Sequence, residues 1–138
     1  MNDRLIGIDF GLSKVGLSIS DPLKIISIPL KVIKYKKREE LLIKLQEIAM
    51  ENDVRSFVIG YPLNMNNKKN EMTKLVDDLS EELKNLNFNV FLQDERLSSE
   101  SAKKIMHEQN IKTGKNKEHI DLIASTIILQ SFLDKGIF

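Results

Sequence analysis

Carboxylates stand at three places along the chain where one is either costly or conspicuous. Asp9 closes the short apolar run Leu5-Ile6-Gly7-Ile8-Asp9, and Asp94 and Glu95 follow a second run, Asn89 to Gln93. Asp121 opens the last helical stretch. There it shares a stripe with Ala124, Ser125, Ile128 and Phe132, the face that should meet the core. Each acid has a plain structural reading. Asp9 can cap a turn with Gly11, Glu95 can pair with Arg96 at the surface, and Asp121 can complement the dipole of its helix. A converged set can do more. Two like charges about 4 Å apart repel by roughly 4 kcal/mol at an effective dielectric of about 20. Such a set must take up protons or hold a cation, and hard oxygen ligands favour Mg²⁺ or Mn²⁺.

Composition removes the competing chemistries. There is no Cys among the 138 residues, which excludes a thiolate zinc site, an iron–sulfur cluster, a disulfide scaffold and a cysteine nucleophile. Two His, His107 and His119, leave little for a His-rich metal site. With 41% hydrophobic residues, 3 Pro and 6 Gly, the chain reads as one folded domain over residues 1–138. The formal charge of +1, from 21 basic and 20 acidic residues, neither advertises nucleic acid nor excludes a local basic patch. The first residues enter an apolar run that contains Asp9 and do not form a signal peptide. The stretch Leu122 to Leu133 is too short for a bilayer core, which needs about 20 residues. The expected setting is cytoplasmic, with no membrane.

The acids need a frame to bring them together. Leu5 to Asp9 reads as a buried strand, and Val15 to Ser20 alternates as a half-buried one after a tight turn at Gly11 and Ser13. Ile25 to Ile33 completes a meander, with Pro29 marking an edge or a bulge. The period then changes. Leu41, Leu42, Leu45, Ile48 and Ala49 predict a helix over Arg38 to Asn52. Ser56 to Gly60 is continuously apolar, as a strand buried on both faces is. A second helix runs from Met72 to Leu86, and Asn89 to Gln93 is the fifth strand. A third helix starts near Ser98 or Ser99, a basic loop covers Ile111 to Lys117, and Ile120 to Asp134 is the last helix. Gly136 suits the position after its end. The order βββαβαβαα predicts an α/β fold, a five-stranded mixed sheet with helices on both faces. It is the order of the ribonuclease H-like fold. With strand one central and strand five near it, Asp9 and Glu95 share one sheet edge, to which the last helix can return Asp121.

Basic residues cluster at Lys34, Lys36, Lys37 and Arg38, at Lys68 and Lys69, at Lys103 and Lys104, and at Lys112, Lys115 and Lys117. Most surface lysines are simply solvated. Lys115 and Lys117 stand just before Asp121 and are the cluster best placed for phosphate.

Four segments of the sequence belong together. The first is Gly7-Ile8-Asp9-Phe10-Gly11-Leu12-Ser13-Lys14-Val15-Gly16, continuing to Asp21. The second is Gly60-Tyr61-Pro62-Leu63-Asn64-Met65-Asn66. The third is Asp94-Glu95-Arg96-Leu97-Ser98-Ser99, and the fourth is Asp121-Leu122-Ile123-Ala124-Ser125 with the helix that follows. In this order and spacing they resemble the YqgF or RuvX family of Holliday-junction-resolvase-like nucleases associated with pre-16S ribosomal RNA, and the resemblance covers essentially the whole chain. It implies a ribonuclease H-like fold, Asp9, Glu95 and Asp121 as catalytic and metal-binding acids, Mg²⁺ or Mn²⁺, and a nucleic-acid substrate. A ribosomal RNA precursor is favoured over branched DNA, and a monomer or weak homodimer is expected. Lys14, Ser98, Ser99, Lys115 and Lys117 are the candidate substrate contacts, with helix capping the alternative role of the two serines. Lys14 stands where the family usually has Arg, which keeps the charge but not a bidentate grip on phosphate. Asn66-Asn67 replaces a common Asp-Gly, and Ile123-Ala124-Ser125 is less Ala-rich than usual. An actin-like or sugar-kinase ATPase shares the Asp9-Phe10-Gly11 start, but such proteins bind ATP between two domains of this kind and this chain reads as one. The remaining alternatives are a Holliday-junction resolvase and a non-catalytic RNA-binding module of ribosome assembly.

Overall fold

The computed structural model describes residues 4–63, 69–94 and 117–136. Strands β1 (Leu5–Asp9), β2 (Lys14–Ser20) and β3 (Ser27–Lys34) form an antiparallel meander. Helix α1 (Arg38–Glu51) leads to β4 (Ser56–Tyr61), and α2 (Glu71–Asn85) leads to β5 (Asn89–Asp94). Helix α3 (Lys117–Lys135) is the last element. The sheet order is β3-β2-β1-β4-β5, with β4 parallel to β1 and β5 parallel to β4. The predicted mixed five-stranded sheet with a central first strand is therefore present. The helix expected from Ser98 or Ser99 lies outside the described residues.

Strand alternation sends side chains to two different layers. Ile6, Ile8, Val15 and Leu17 point to one face, where Leu41 and Leu45 of α1 and Val76 and Leu79 of α2 close a core of large aliphatic residues. Phe57 is fully buried there, with Phe88 edge-on at 5.0 Å. The opposite face takes α3, whose Ile128, Leu129, Phe132 and Leu133 meet Leu5 and Val58. Near the start of α3 this second layer turns small and polar: Gly7, Gly16, Ser18 and Ser125.

Element ends follow local hydrogen bonding. Asp21 Oδ1 accepts from the amides of Ile25 and Ile26 at 2.7 and 2.9 Å, so those residues belong to a turn. Gln130 of α3 then accepts from the Ser27 amide at 2.9 Å and donates to the Ile25 carbonyl at 2.9 Å. The strand expected from Ile25 accordingly begins at Ser27. Pro29 is on an edge strand and also at an irregularity, because the β2–β3 register shifts between Leu17 and Ser18. Asn70 caps α2 in a reciprocal box, accepting from the Thr73 amide at 3.0 Å while Thr73 Oγ1 accepts from the Asn70 amide at 2.7 Å. Gly136 follows α3 with a φ of +67°, the left-handed geometry that glycine accepts freely.

Two further boundaries differ from expectation. Lys117 is the first residue of α3, not the end of a loop. The helix's first turn is polar, so apolar periodicity does not reveal it. Asp94 is the last residue of β5, in register with Tyr61, not a residue beyond the strand.

Candidate active site

The site is assembled by one row of residues across the sheet. Asp9 is in register with Gly16 of β2. Antiparallel partners of this kind have Cα atoms about 4.5–5.5 Å apart. On the other side, Ile8 pairs with Ile59, so the next step places Asp9 beside Gly60, and Gly60 pairs with Gln93. Asp9 and Gly16 have the parity of Gly7 and Ser18, and Gln93 that of Phe91. The whole row therefore faces α3.

Helix α3 approaches this row because the row lacks side chains where it crosses. A Cβ on Gly16 would sit 2.4 Å from the Asp121 carbonyl oxygen and 3.1 Å from Asp121 Cβ. One on Gly7 would sit 2.8 Å from Leu129 Cβ. Within this close approach Ser125 Oγ lies 3.0 Å from both the Gly7 carbonyl oxygen and Ser18 Oγ, and Ser18 Oγ donates to the Ser125 carbonyl at 2.8 Å. These bonds satisfy polar groups that would otherwise be stranded in a dry contact. They also fix the helical turn that carries Asp121. The structure thus brings two of the three predicted acids together, Asp9 from a central strand end and Asp121 from directly above its register partner.

Asp121 is unusual electrostatically. Its Oδ2 is buried and has no hydrogen-bond partner. Lys14 Nζ lies 3.5 Å away, an ion pair too long for a good hydrogen bond. A carboxylate oxygen withdrawn from water and faced by a cation it does not bond is a donor in search of a closer cation. Asp9 adds a second hard oxygen donor. The residues fit a hard divalent ion better than a soft one. Among the described residues no three acidic or imidazole side chains gather as a metal cluster. The third predicted acid, Glu95, lies outside them, as do Ser98, Ser99 and Lys115. It directly follows Asp94, whose strand ends on the same sheet edge as Asp9. Lys117 begins α3, one turn ahead of Asp121.

The turn after Asp9 is held from β3's side. Tyr35 Oη donates to the Gly11 carbonyl, and the Tyr35 amide donates to the Ser13 carbonyl at 3.0 Å. Burial pushes the Tyr35 hydroxyl above its usual range, which keeps it a donor. Gln93 was not among the predicted site residues. It is 5% exposed, its Oε1 has no hydrogen-bond partner, and it lies in the same row as Asp9. Its signal in the sequence is a polar residue two positions after core-facing Phe91.

Comparison with known proteins settles the family. The model described as RuvX, Holliday junction resolvase, matches residues 3–135. The chain belongs to the RuvX family. A relative from Ruminiclostridium cellulolyticum named "Putative pre-16S rRNA nuclease" is 38% identical over 134 residues, covering 96% of this chain and 94% of the relative. One of the same name from Mycoplasmopsis synoviae is 39% identical over 133 residues, covering 95% and 97%. Among solved structures, Thermus thermophilus RuvC in complex with a Holliday junction has a TM-score of 0.58 at 12% identity, covering 98% of this chain and 96% of RuvC. The large terminase nuclease of phage G20c, solved with bound zinc, has a TM-score of 0.59 at 14% identity, covering 94% and 80%. At such identities the likeness is one of fold, and it places this RuvX chain in the RuvC and ribonuclease H-like architecture. No helix among the described residues is long and apolar enough to cross a membrane.

Proposed function

We propose that this chain is a divalent-metal-dependent nuclease that hydrolyses phosphodiester bonds in the 5′-end processing of pre-16S ribosomal RNA, acting in the cytoplasm as a single domain over residues 1–138. Membership of the RuvX family supports nuclease chemistry, and the names of its relatives support the RNA. The observation that carries the reading is the buried, unbonded Oδ2 of Asp121 held over the register partner of Asp9.

Asp9, Glu95 and Asp121 would hold Mg²⁺ or Mn²⁺. The ion supplies Lewis acidity toward a phosphodiester and lowers the pKa of water near it. The chain's own residues do the positioning. Asp9 offers a carboxylate from the most constrained point of the sheet. Ser125 and Ser18 lock the helix that carries Asp121. Lys14 neutralises Asp121 before substrate arrives and turns its amine to a phosphate oxygen afterwards. Lys115, Lys117, Ser98 and Ser99 serve as further phosphate contacts.

The test is separate replacement of the acids, as Asp9→Asn, Glu95→Gln and Asp121→Asn, with an RNA spanning the 5′ end of 16S rRNA as substrate and Mg²⁺ or Mn²⁺ present. Each should lower cleavage by at least about 100-fold, the scale of losing one metal ligand's support. The melting temperature of Asp121→Asn should hold or rise, because a buried carboxylate oxygen without a hydrogen bond adds little to the fold. Cleavage that persists in all three variants overturns the assignment. The family's description favours a four-way DNA junction as the second substrate. Symmetric cutting of a junction calls for a dimer, so junction cleavage by a chain that sediments as a dimer would replace RNA processing as the function. Absence of cleavage on both substrates would make the chain a binding module.

A further inference from the structure

Four buried side-chain polar atoms among the described residues lack a hydrogen-bond partner: Arg4 Nε, Ser27 Oγ, Gln93 Oε1 and Asp121 Oδ2. Arg4 precedes β1 and Ser27 pairs with Ser20 at the end of β2, so these two lie at the end of the sheet away from Asp9. The other two are oxygens that accept, and both lie on the α3 side of the sheet at the Asp9 end. Asp121 is accounted for by the acidic site. Gln93 is not. The residue before it on this side of β5, Phe91, packs on Phe132 with ring centroids 5.1 Å apart. Gln93 is itself 5% exposed. A buried amide oxygen left unpaired costs free energy that an apolar side chain of the same size avoids. Stability therefore does not explain a glutamine at this position.

Register and lean place the side chain. Gln93 pairs with Gly60, and Gly60 follows Ile59, the partner of Ile8, so Gln93 stands two strands from Asp9 in one row. Their Cα atoms are about 9–10 Å apart, two strand spacings. Gly60 stands between them and contributes no side chain. The amide nitrogen of Gln93 donates to the Asp94 carbonyl at 3.4 Å, so the side chain leans toward the strand end that β1, β4 and β5 share. The free oxygen is thus an acceptor at the acids' own end of the sheet. Acceptor beside acceptor is unfavourable until a donor lies between them. A water between an amide oxygen and a carboxylate donates one proton to each and leaves its own oxygen free, the orientation a water takes on a cation. Mg²⁺ in particular gives up its waters reluctantly.

We propose that Gln93 is a positioning residue for the divalent ion, its Oε1 accepting a hydrogen bond from one of the ion's own waters and so fixing that water between β5 and Asp9. The proposal rests on the reading of Asp9, Glu95 and Asp121 as ion ligands, and its test is ion binding without substrate. Mn²⁺ is titrated calorimetrically into the unmodified chain and its variants, and their melting temperatures are compared in EDTA. Gln93→Leu should weaken Mn²⁺ binding about 10-fold or more, the loss expected for a partner outside the ligand set, while its melting temperature in EDTA holds or rises. The opposite directions are the signature, since a glutamine that only supported the fold would lose both together. Gln93→Glu keeps an oxygen acceptor and should bind Mn²⁺ at least as tightly as the unmodified chain. Its melting temperature in EDTA should fall, because its charge is buried beside other acids. A Gln93→Leu variant whose Mn²⁺ affinity stays within about twofold of the unmodified chain, or whose melting temperature falls along with its affinity, overturns the assignment. If Asp121→Asn abolishes Mn²⁺ uptake while Gln93→Leu leaves it unaltered, the ion site stands and Gln93 has no part in it. If the unmodified chain takes up no Mn²⁺, the ion reading falls and this one with it. Weaker binding of a fluorescein-labelled single-stranded RNA in EDTA by Gln93→Leu, at unaltered Mn²⁺ affinity, would assign Gln93 to the substrate and equally overturn the proposal.

Discussion

The two faces of the sheet are built on opposite principles. The face covered by α1 and α2 is filled with large aliphatic side chains, Ile6, Ile8, Leu17, Leu41, Leu45 and Leu79 among them, with Phe57 fully buried. The face covered by the first turns of α3 uses Gly7, Gly16, Ser18 and Ser125, and is held by hydrogen bonds at 2.8 to 3.0 Å in place of apolar bulk. Large side chains gain more from burial, roughly 25 cal/mol per Å² of apolar surface. Small ones gain little but let two backbones come close. The first face therefore holds the fold and the second aims Asp121, so damage to each should be read out differently.

The largest effect on stability should come from Phe57→Ala, a cost of about 3–5 kcal/mol from lost burial and the cavity left behind. The shift in urea midpoint measures it. Cleavage per folded molecule should stay close to that of the unmodified chain, because no acid moves. Next comes Gly16→Val. Its Cβ would meet backbone, the Asp121 carbonyl at 2.4 Å, which cannot rotate away. Helix α3 must shift at its start, at a stability cost of about 1–3 kcal/mol and with a loss of cleavage larger than that of Phe57→Ala. If Gly16→Val cleaves as well per folded molecule as Phe57→Ala, the division between the faces does not hold.

Ser125→Ala is the smaller version of the same experiment. It leaves the Gly7 carbonyl and the Ser18 hydroxyl each short of a partner in a dry contact, for a cost of about 1–2 kcal/mol. Because Asp121 lies one helical turn away, divalent-ion affinity should weaken along with stability. Calorimetry with Mn²⁺ tests this without substrate.

The same contrast governs how much the sequence discloses. The aliphatic face is written in periodicities. Leu41, Leu45 and Ile48 announce α1, and the run from Phe57 to Ile59 announces a strand buried on both sides, so the fold class and the central place of β1 are legible without coordinates. The small-residue face is written in absences. Gly16 carries no signal of the helix it admits, and Ser125 reads as an ordinary small residue until Ser18 appears opposite it across 107 positions. Asp9 and Asp121 could be named from their places at the ends of apolar runs, whereas their meeting over Gly16 depends on docking that no local pattern encodes.

The smallest effect lies away from both faces, in the turn between β2 and β3. The Asp21 carboxyl is held below its ordinary value of 3.8 chiefly by the amides of Ile26 and Ile25, which donate to it. A carboxyl depressed in the folded state stabilises that state above its unfolded pKa, and the contribution fades as pH falls through the folded value. Asp21→Asn keeps a neutral acceptor for the same two amides and removes only the charge-assisted part of the bonds. The difference in urea midpoint between the unmodified chain and Asp21→Asn should therefore be largest at neutral pH, shrink below pH 3.8, and approach zero under strongly acidic conditions. The turn also anchors α3, because Gln130 bonds Ile25 and Ser27. A pH-independent difference would mean that the variant acts through that anchor by displacing the turn, and that the site at the far end of α3 is tied to this hairpin as well as to the small-residue contact.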